Sequence, residues 1–193
     1  MARPRTITDE RVMAALAEVV GRLGPARLTL ADVARAAGVS TGMLVRRYGS
    51  KRDLLLAFSS RAEGLAASMR ERYEKAPDPL EGLLRAITET NRDSTPEEFA
   101  NHLAFLHLEL ADPEFREPLA AHAAGVRAEL EHYLTEAVGA GLLDVPDIPA
   151  LAAAVDAIRN GTQLTWAMHR RGTLAGALRE DLTTLLTPYR RQK

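Results

Sequence analysis

The segment DVARAAGVSTGMLVRRY, residues 32–48, is the part of the sequence that most limits how the chain can fold. It contains two short apolar patterns of helical spacing, and Gly38 separates them. Val33, Ala34 and Ala37 would share one apolar face of a first helix of only two turns. Gly38 stands where a helix end favours a left-handed residue, a conformation that glycine adopts without strain. The segment therefore predicts two short helices that meet at a tight turn.

The second short helix is predicted over residues 41–48, with Ser40 as its N-terminal cap and Leu44 turned inward. Two short helices joined by a glycine-containing turn form a helix-turn-helix, which places the N-terminal residues of its second helix in the major groove of DNA. The residues expected to face outward are Thr41, Gly42, Met43, Val45 and Arg46. The same pattern also fits a pair of packed helices that binds no DNA.

Several groups stand where contacts to DNA phosphates would fall. Arg46, Arg47 and Lys51 lie at the end of the second short helix and at the start of the next helix. Backbone N–H groups at the helix starts near Thr29, Thr41 and Lys51 would also favour anions. These positions are the candidate phosphate contacts.

The charge of the chain is unevenly distributed. Residues 1–60 contain ten Lys and Arg against five Asp and Glu, a net charge of +5, and the remainder has a net charge of −6. Such asymmetry is typical of a nucleic-acid-binding segment attached to an acidic one, although chance clustering would give the same count. The N-terminal stretch MARPR, residues 1–5, could reach a neighbouring groove or phosphate, or could be disordered.

Composition and motifs exclude several classes of protein. The chain has no cysteine, so disulfides and thiolate metal sites are excluded, and a cytoplasmic location is expected. Neither a transmembrane helix nor a signal peptide is predicted, because no apolar run approaches about 18 residues and the N-terminus has no apolar stretch. No GxSxG, P-loop or HExxH pattern appears, so we predict that the chain is not an enzyme and needs no cofactor.

The whole sequence predicts an all-α fold of about nine helices, because Ala, Leu, Glu and Arg dominate and strict alternation is absent. The residues placed to cap helix starts are Thr8, Thr29, Ser40, Ser50, Asp78, Thr95 and Asp112. One long helix is predicted over residues 51–75. We therefore expect a helix-turn-helix domain over residues 1–52 and a second helical domain over residues 53–193, with that helix between them.

The segment LTLADVARAAGVSTGMLVRRYGSKRDLLLAF, residues 28–58, resembles the DNA-binding segment of the tetracycline-repressor (TetR) family of bacterial transcriptional regulators. The matching positions are Thr29, residues 33–34, residues 37–40, Gly42, Leu44, Tyr48, residues 50–51 and residues 53–55. The resemblance implies three N-terminal helices that bind DNA, with Thr29, Ser40 and Tyr48 among the contacts. It also implies a six-helix body that dimerises and binds a small-molecule effector, and a repressor that then leaves its palindromic operator.

The sequence departs from the family pattern at three positions of the second short helix. Val45 stands where the family usually has Tyr, and Arg46 and Arg47 replace a His/Tyr pair. Guanidinium groups there would bind phosphate or guanine, whereas Val45 would meet only a thymine methyl group or a sugar. Val45 also favours the alternative function, a helical small-molecule- or metal-binding protein that no longer reads specific DNA.

Residues 99–110, FANHLAFLHLEL, are apolar nearly all round, so we expect this helix to be buried on most sides. Its polar residues Asn101, His102, His107 and Glu109 then need partners, which would be either neighbouring protein groups or a ligand. The resemblance implies that this helix lines the effector cavity. The candidate effector contacts are Met69, Tyr73, His102, Phe105, Leu106, Glu109, His122, Gln163 and Trp166. The single tryptophan fits core packing better than a ligand contact.

Two C-terminal helices have apolar stripes that need partners. Residues 149–169 show two such faces, one made mostly of small residues, and the last helix repeats leucine at helical spacing. The resemblance implies a four-helix interface in a homodimer, whereas packing within one chain is the alternative. The predicted interface residues are Ala153, Ala157, Gly161, Leu164, Met168, Leu174, Leu178, Leu182 and Leu185.

Two spacings could bind a metal, but no metal site is predicted. Glu98 and His102 stand four residues apart and could share an ion, with Glu109 or His122 joining them if the fold brings them near. Residues 129–132 contain a single Glu-x-x-His, whereas a di-iron helical bundle needs two such motifs and two further glutamates.

Overall fold

The computed structural model describes residues 8–61, 63–91 and 94–191, and within those ranges the chain is all-α, as predicted, with no β-strand. The described ranges contain ten α-helices, which are α1 (Asp9–Arg27), α2 (Leu30–Ala37), α3 (Thr41–Tyr48), α4 (Lys51–Ser59), α5 (Glu63–Glu74), α6 (Pro79–Thr88), α7 (Pro96–Ala111), α8 (Pro113–Gly139), α9 (Ile148–His169) and α10 (Leu174–Leu186). Short 3-10 helices follow α6 at Glu89–Asn91 and α10 at Thr187–Tyr189. The N-terminal arm, residues 1–5, lies outside the described residues.

The prediction of a single helix over residues 51–75 is wrong, because α4 ends at Ser59 and α5 begins at Glu63. Ser60 closes the last turn of α4, with its N–H 2.9 Å and its hydroxyl 2.8 Å from the Leu56 carbonyl oxygen. Serine hydroxyls that bond to the backbone compete with continuation of a helix, and a glycine follows in the first turn of α5. The bond from the Ser60 hydroxyl and the glycine after it together explain why this segment forms two helices instead of one.

Side chains cap three successive helices, as the sequence predicts. The Thr29 hydroxyl accepts from the Asp32 N–H over 3.2 Å, and the Asp32 carboxylate accepts from the Thr29 N–H over 3.0 Å. Ser50 and Asp53 make the same reciprocal arrangement at the start of α4. The Ser40 hydroxyl accepts from the N–H of the third residue of α3 over 3.2 Å. These caps fix the starts of α2, α3 and α4.

Replacing Thr29 with alanine is expected to lower the free energy of unfolding by about 1 kcal/mol, because α2 loses its capping side chain. Thr8 offers a matched control, since it precedes α1 but, contrary to the sequence prediction, makes no side-chain capping bond there. Thr8→Ala should change the free energy of unfolding by less than about 0.5 kcal/mol. Urea denaturation followed by circular dichroism measures both variants, and equal losses would contradict the capping role of Thr29.

Helices α1–α4 form one compact unit with α7 and the start of α8, which comprises the described residues up to Arg61 and Glu97–Leu119. The fully buried side chains of its core include Val12, Leu16, Val19, Val33, Leu44, Leu54 and Phe115. The packing therefore groups residues 53–61 and 97–119 with the helix-turn-helix. A division by function at residue 52, with DNA contacts before it and effector contacts after it, stays a prediction.

The second unit comprises the described residues from 63 to 96 and from 120 to 191. In it, α10 packs against both α9 and α6. Arg179 of α10 donates to both carboxylate oxygens of Glu81 on α6, over 2.7 and 3.1 Å. Fully buried leucines from α6, α8 and α10 fill the core of this unit. Across the described residues, no helix is long and apolar enough to span a membrane.

Candidate DNA interface and helical body

Gly38 forms the turn of the predicted helix-turn-helix. Its φ of +69° is left-handed, and the N–H of Val39 donates to the Ala34 carbonyl oxygen over 2.9 Å, which satisfies a carbonyl at the end of α2. Ala34 and Leu44 are both buried in the core of their unit, where α2 and α3 pack against each other. The helix-turn-helix inferred from the sequence is therefore present over residues 30–48.

Helix α3 presents an exposed face that contains Thr41, Gly42, Val45 and Arg46. Val45 is 47% exposed, an unusual position for a large apolar side chain. Met43, which the sequence places on the same outward face, is instead half-buried and packs against the core of its unit. The exposed face thus combines two small residues, Thr41 and Gly42, with the apolar side chain of Val45 and the cation of Arg46.

The C-terminal end of α3 is bound to the start of α1 through one carboxylate. Arg47 Nη2 lies 2.9 Å and the Tyr48 hydroxyl 2.5 Å from the same atom, Asp9 Oδ1. The hydrogen bond from Tyr48 and the charge of Arg47 lower the pKa of the Asp9 carboxyl, with partial desolvation opposing them. Burial and the bond to Asp9 raise the pKa of Tyr48 to about 12. Sequence reasoning missed Asp9, since nothing near residue 9 indicates a partner 39 residues away.

Three predicted DNA contacts also make bonds within the chain. Lys51 Nζ donates to the carbonyl oxygens of Ala26 and Leu28, over 3.1 and 3.0 Å. The Thr29 and Ser40 hydroxyls cap their helices. A lysine ammonium has three donors, so Lys51 keeps one for a phosphate. The single O–H of Thr29 already donates to Asp32 Oδ2 over 2.6 Å, so this hydroxyl must leave Asp32 before it can bond to a phosphate. Their contact with DNA stays a prediction.

Helix α7 is held to α1 and α4 by polar bonds within the first unit. Asn101 Nδ2 donates to the Gly21 carbonyl oxygen over 2.7 Å. The Ser59 hydroxyl donates to Glu109 Oε1 over 2.6 Å in a buried position. Phe105 packs against a phenylalanine of α4 with ring centroids 5.7 Å apart. Two of the polar residues on this helix thus have protein partners, which was one of the two alternatives.

Arg52 makes a further connection inside the first unit that sequence reasoning did not find. Its guanidinium reaches Asp112 Oδ2, between α7 and α8, over 2.6 Å, and Glu114 Oε2, in the first turn of α8, over 2.8 Å. The same guanidinium lies 5.7 Å from the ring centroid of Phe115. The paired carboxylates raise the pKa of Arg52. The start of α4 is therefore attached to the end of α7.

The expectation that residues 99–110 are buried on most sides is wrong. Leu103, Leu106 and His107 are exposed, and Leu110 is 59% exposed. A helix that contacts its neighbours along one stripe buries only that stripe, whatever residues occupy its other faces. Leu106, a candidate effector contact, therefore lies on an open surface.

His102 is the remaining polar candidate on α7. A Cβ built on Gly21 would lie 3.6 Å from its Nε2, which places the imidazole beside α1. Desolvation there lowers the pKa of His102, and the charge of Glu98 opposes that shift. The lowered pKa favours the neutral imidazole, which can both donate and accept a hydrogen bond.

The other candidate effector contacts belong to the second unit. Met69 is buried, and the ring of Tyr73 stacks on the ring of Tyr133 with centroids 4.1 Å apart. His122 is half-buried. Gln163 is buried, and its Nε2 has no hydrogen-bond partner among the described residues. An unsatisfied buried amide is costly, so Gln163 is the candidate whose surroundings most resemble a polar ligand contact.

Trp166 is mostly buried, as expected of a core residue, and donates its indole N–H to the Gly172 carbonyl oxygen over 3.2 Å. It also lines a groove of about 400 Å³ between α9 and α10. The other residues that line this groove are Thr162, Thr165, His169, Arg171, Ala177, Glu180 and Asp181.

The predicted dimer residues divide into two groups. On α9, Ala157, Gly161, Leu164 and Met168 form an exposed stripe, with Leu164 42% and Met168 66% exposed, and Ala153 is half-buried. On α10, Leu174, Leu178 and Leu182 are buried within their own unit and Leu185 is half-buried. The fully buried leucines of α10 therefore pack within one chain, which was the alternative to a dimer interface, because α10 packs against α9 and α6. The α9 stripe stays a predicted interface.

No group of three or more His, Cys, Asp and Glu side chains that could bind a metal ion occurs in the part of the chain that the structure describes. The spacings that raised the possibility of a metal therefore do not form a ligand cluster there. Glu109 instead accepts from Ser59. Glu129 binds Arg70.

Residues 12–58 match the family model described as bacterial regulatory proteins of the TetR family. A curated relative, the HTH-type transcriptional repressor LfrR of Mycolicibacterium smegmatis, is 33% identical over 88 residues. The matched region spans 44% of this chain and 44% of that relative, so the likeness covers less than half of either protein.

Solved structures share the fold over nearly the whole chain. A TetR transcription regulator from Haloarcula marismortui has a TM-score of 0.76 at 19% identity and covers 94% of this chain and 97% of its own. The transcriptional regulator FadR from Bacillus subtilis, solved in complex with stearoyl-CoA, has a TM-score of 0.66 at 20% identity and covers 93% of this chain and 98% of its own. At these identities the likeness shows the fold alone.

The four N-terminal helices and the helical body define a helix-turn-helix protein. The resemblance found in the sequence is confirmed over residues 12–58, which match the TetR family of bacterial regulatory proteins, and the rest of the chain shares the fold of solved regulators.

Proposed function

We propose that the protein is a transcriptional regulator that binds a palindromic operator as a homodimer, acts in the cytoplasm and represses until a small-molecule effector releases it. The observation that supports DNA binding most directly is the exposed face of α3, where Val45 and Arg46 project from a helix anchored by the buried Leu44. A helix presented in this way is the element that helix-turn-helix proteins place in the major groove.

The charges near α3 support the same proposal. Arg46 is exposed beside Val45, and Arg47 and Lys51 lie within a few residues of it. Arginine binds guanine or phosphate with paired donors, and lysine binds phosphate as a point charge. We expect no family operator preference to carry over, since Val45, Arg46 and Arg47 replace the aromatic and histidine residues usual in the family.

The exposed stripe on α9 supports a homodimer. Gly161 has nothing within 4 Å of the position of a Cβ, and Leu164 and Met168 are exposed beside it. Small residues allow helices to approach closely, and a two-fold pair of α9 helices would bury the same stripe from both subunits. Two-fold symmetry would then place two α3 helices about 34 Å apart, or a multiple of that distance, on a palindromic site.

Replacing Leu164 and Met168 together with glutamate is expected to convert the dimer into a monomer, because the buried charges would face each other across the two-fold axis. Light scattering after size-exclusion chromatography measures the mass directly. Leu106→Glu with Leu110→Glu on α7 is the matched control and should leave the mass unchanged. A dimer that persists in the α9 variant but is lost in the α7 variant would contradict this interface.

Effector release is supported by the way α7 holds the helix-turn-helix within the first unit. Asn101, Glu109 and Asp112 bind α1 and α4, and the opposite face of α7 is exposed. A ligand that contacts this exposed face and shifts α7 would act on those bonds directly. It must bind one arrangement better than the other, or it shifts no equilibrium.

The alternative function is a helical small-molecule-binding protein that no longer reads specific DNA. The exposed Val45 in place of an aromatic residue favours it, because valine offers a phosphate no donor. Native mass spectrometry of the purified protein would reveal a retained small molecule under either function. Only the regulator predicts that adding this molecule weakens a DNA complex.

The experiment that tests the proposal is an electrophoretic mobility shift on the DNA that flanks the protein's own gene, with excess non-specific competitor and a series of salt concentrations. We expect a shift that survives competitor and weakens steeply with salt. Loss of the shift in proportion to competitor, on every flanking fragment, would contradict recognition of an operator there.

A further inference from the structure

The Asp9 carboxylate at the start of α1 accepts bonds from two side chains at the end of α3. Arg47 Nη2 and the Tyr48 hydroxyl both bond Asp9 Oδ1, at 2.9 and 2.5 Å. The Arg47 side chain is 41% exposed and the Asp9 side chain 38%, so the cluster lies at the protein surface. It is adjacent in sequence to Arg46, which projects from the exposed face of α3.

A phosphate oxygen would use the same donors. Guanidinium and phenol groups bind the anionic oxygens of phosphates and of carboxylates with the same charge-assisted geometry. In the free protein, the Asp9 carboxylate therefore binds the groups that a DNA phosphate would bind in a complex. The hydrogen bond from Tyr48 and the charge of Arg47 hold the pKa of Asp9 below its usual value, so the carboxylate stays ionised at neutral pH.

We propose that Asp9 competes with DNA phosphates for Arg47 and Tyr48 and so sets a lower affinity for DNA than the cations of α3 would otherwise give. This inference rests on the proposed DNA binding. Competition acts in two ways. The Arg47 N–H and the Tyr48 O–H that bond to Asp9 cannot donate to a phosphate at the same time, and the carboxylate repels the DNA backbone.

The exchange is physically accessible because the pair is exposed. Exposed ion pairs contribute little net free energy, so Arg47 can leave Asp9 at small cost when a phosphate offers the same bond. Each phosphate contact made on duplex DNA releases counterions and adds about 0.9 to the dependence of log affinity on log salt. Removing the competitor should therefore change the salt dependence as well as the affinity.

The test compares Asp9→Asn with Glu10→Gln in fluorescence anisotropy titrations of a fluorescein-labelled, mixed-sequence duplex over a range of KCl concentrations. Asparagine keeps an oxygen that can accept from Tyr48 but removes the charge. Glu10 is the matched control, because it is exposed in the same first turn of α1 and its strongest side-chain bond is with Thr8. Glu10→Gln removes the same negative charge as Asp9→Asn, and it removes it from the same turn of α1.

We expect Asp9→Asn to bind the duplex about two- to fivefold more tightly than Glu10→Gln at low salt, with a salt slope steeper by up to about 0.9. In an Arg47→Ala/Tyr48→Phe background, Asp9→Asn and Glu10→Gln should have equal effects, because both donors for which Asp9 competes are gone. Thermal unfolding of each variant shows that α1 and α3 remain folded.

Three results would overturn the inference. Equal affinities and slopes for Asp9→Asn and Glu10→Gln would show that Asp9 does not compete with DNA. Weaker binding by Asp9→Asn alone would show that Asp9 positions α3 for binding. Failure of the wild-type protein to bind the duplex at any salt concentration would contradict the proposed function itself and with it the inference, and this outcome is recognisable from the wild-type titration alone.

Discussion

Replacing Arg46 and Arg47 together with alanine should weaken binding to the operator by at least about 100-fold, because α3 loses both guanidinium groups that could bind guanine or phosphate. Arg46 is exposed, and Arg47 is bound at the surface by Asp9. Neither side chain is part of the buried core, so the helix content should not change. The salt slope should also fall by about 1 to 2, since one or two phosphate contacts are lost.

Mobility-shift titrations over a range of salt concentrations measure both quantities, and circular dichroism checks the fold. Lys75→Ala with Arg190→Ala removes the same charge from exposed positions of the second unit and should leave the affinity within about twofold. Wild-type affinity in the Arg46/Arg47 variant would contradict the assignment of α3 as the DNA-reading helix. A similar loss in the control variant would mean that net charge alone determines binding.

Gly24→Ala should destabilise the first unit by about 2 to 5 kcal/mol. Gly24 has φ +73° and ψ 163°, a region of the backbone map that residues with a Cβ rarely adopt. A Cβ there would also lie 2.7 Å from Asn101 Oδ1. Asn101 cannot simply move away, because its amide donates to the Gly21 carbonyl oxygen. The substitution therefore strains the backbone and disturbs the contact between α1 and α7.

Gly21→Ala is the matched control, on the same helix and beside the same partner helix. Its Cβ would lie 3.6 Å from His102 Nε2, an ordinary van der Waals distance, and alanine favours a helix more than glycine does. We expect a free energy of unfolding equal to or above that of the wild-type protein. Urea denaturation compares the two variants, and a loss for Gly21→Ala as large as that for Gly24→Ala would contradict the geometric explanation.

Local chemistry made the helix-turn-helix predictable from the sequence. The capping boxes at Thr29 and Ser50, the cap at Ser40 and the left-handed Gly38 each involve residues within five positions of one another. Such signals fix where helices begin and end, whatever the rest of the chain does. The all-α fold follows from them and from the apolar spacing.

Contacts between distant segments could not be read from the same patterns. Asp9 meets Tyr48 across 39 residues, and Arg52 meets Asp112 across 60. Both look like ordinary surface charges in the sequence, and only packing shows that they bridge helices. Leu106 shows a second limit of the sequence pattern. An apolar pattern indicates a helix face that other elements can cover, but it does not show whether anything covers it.

The measurement that tests the central claim most directly is selection of DNA by the immobilised wild-type protein from a library of randomised duplexes, followed by sequencing. The selection itself reveals the operator sequence. Enrichment of a palindromic sequence, absent when Arg46→Ala/Arg47→Ala replaces the wild-type protein, is the result that a dimeric regulator reading DNA through α3 predicts. Binding of the library without enrichment of any sequence would contradict sequence-specific recognition.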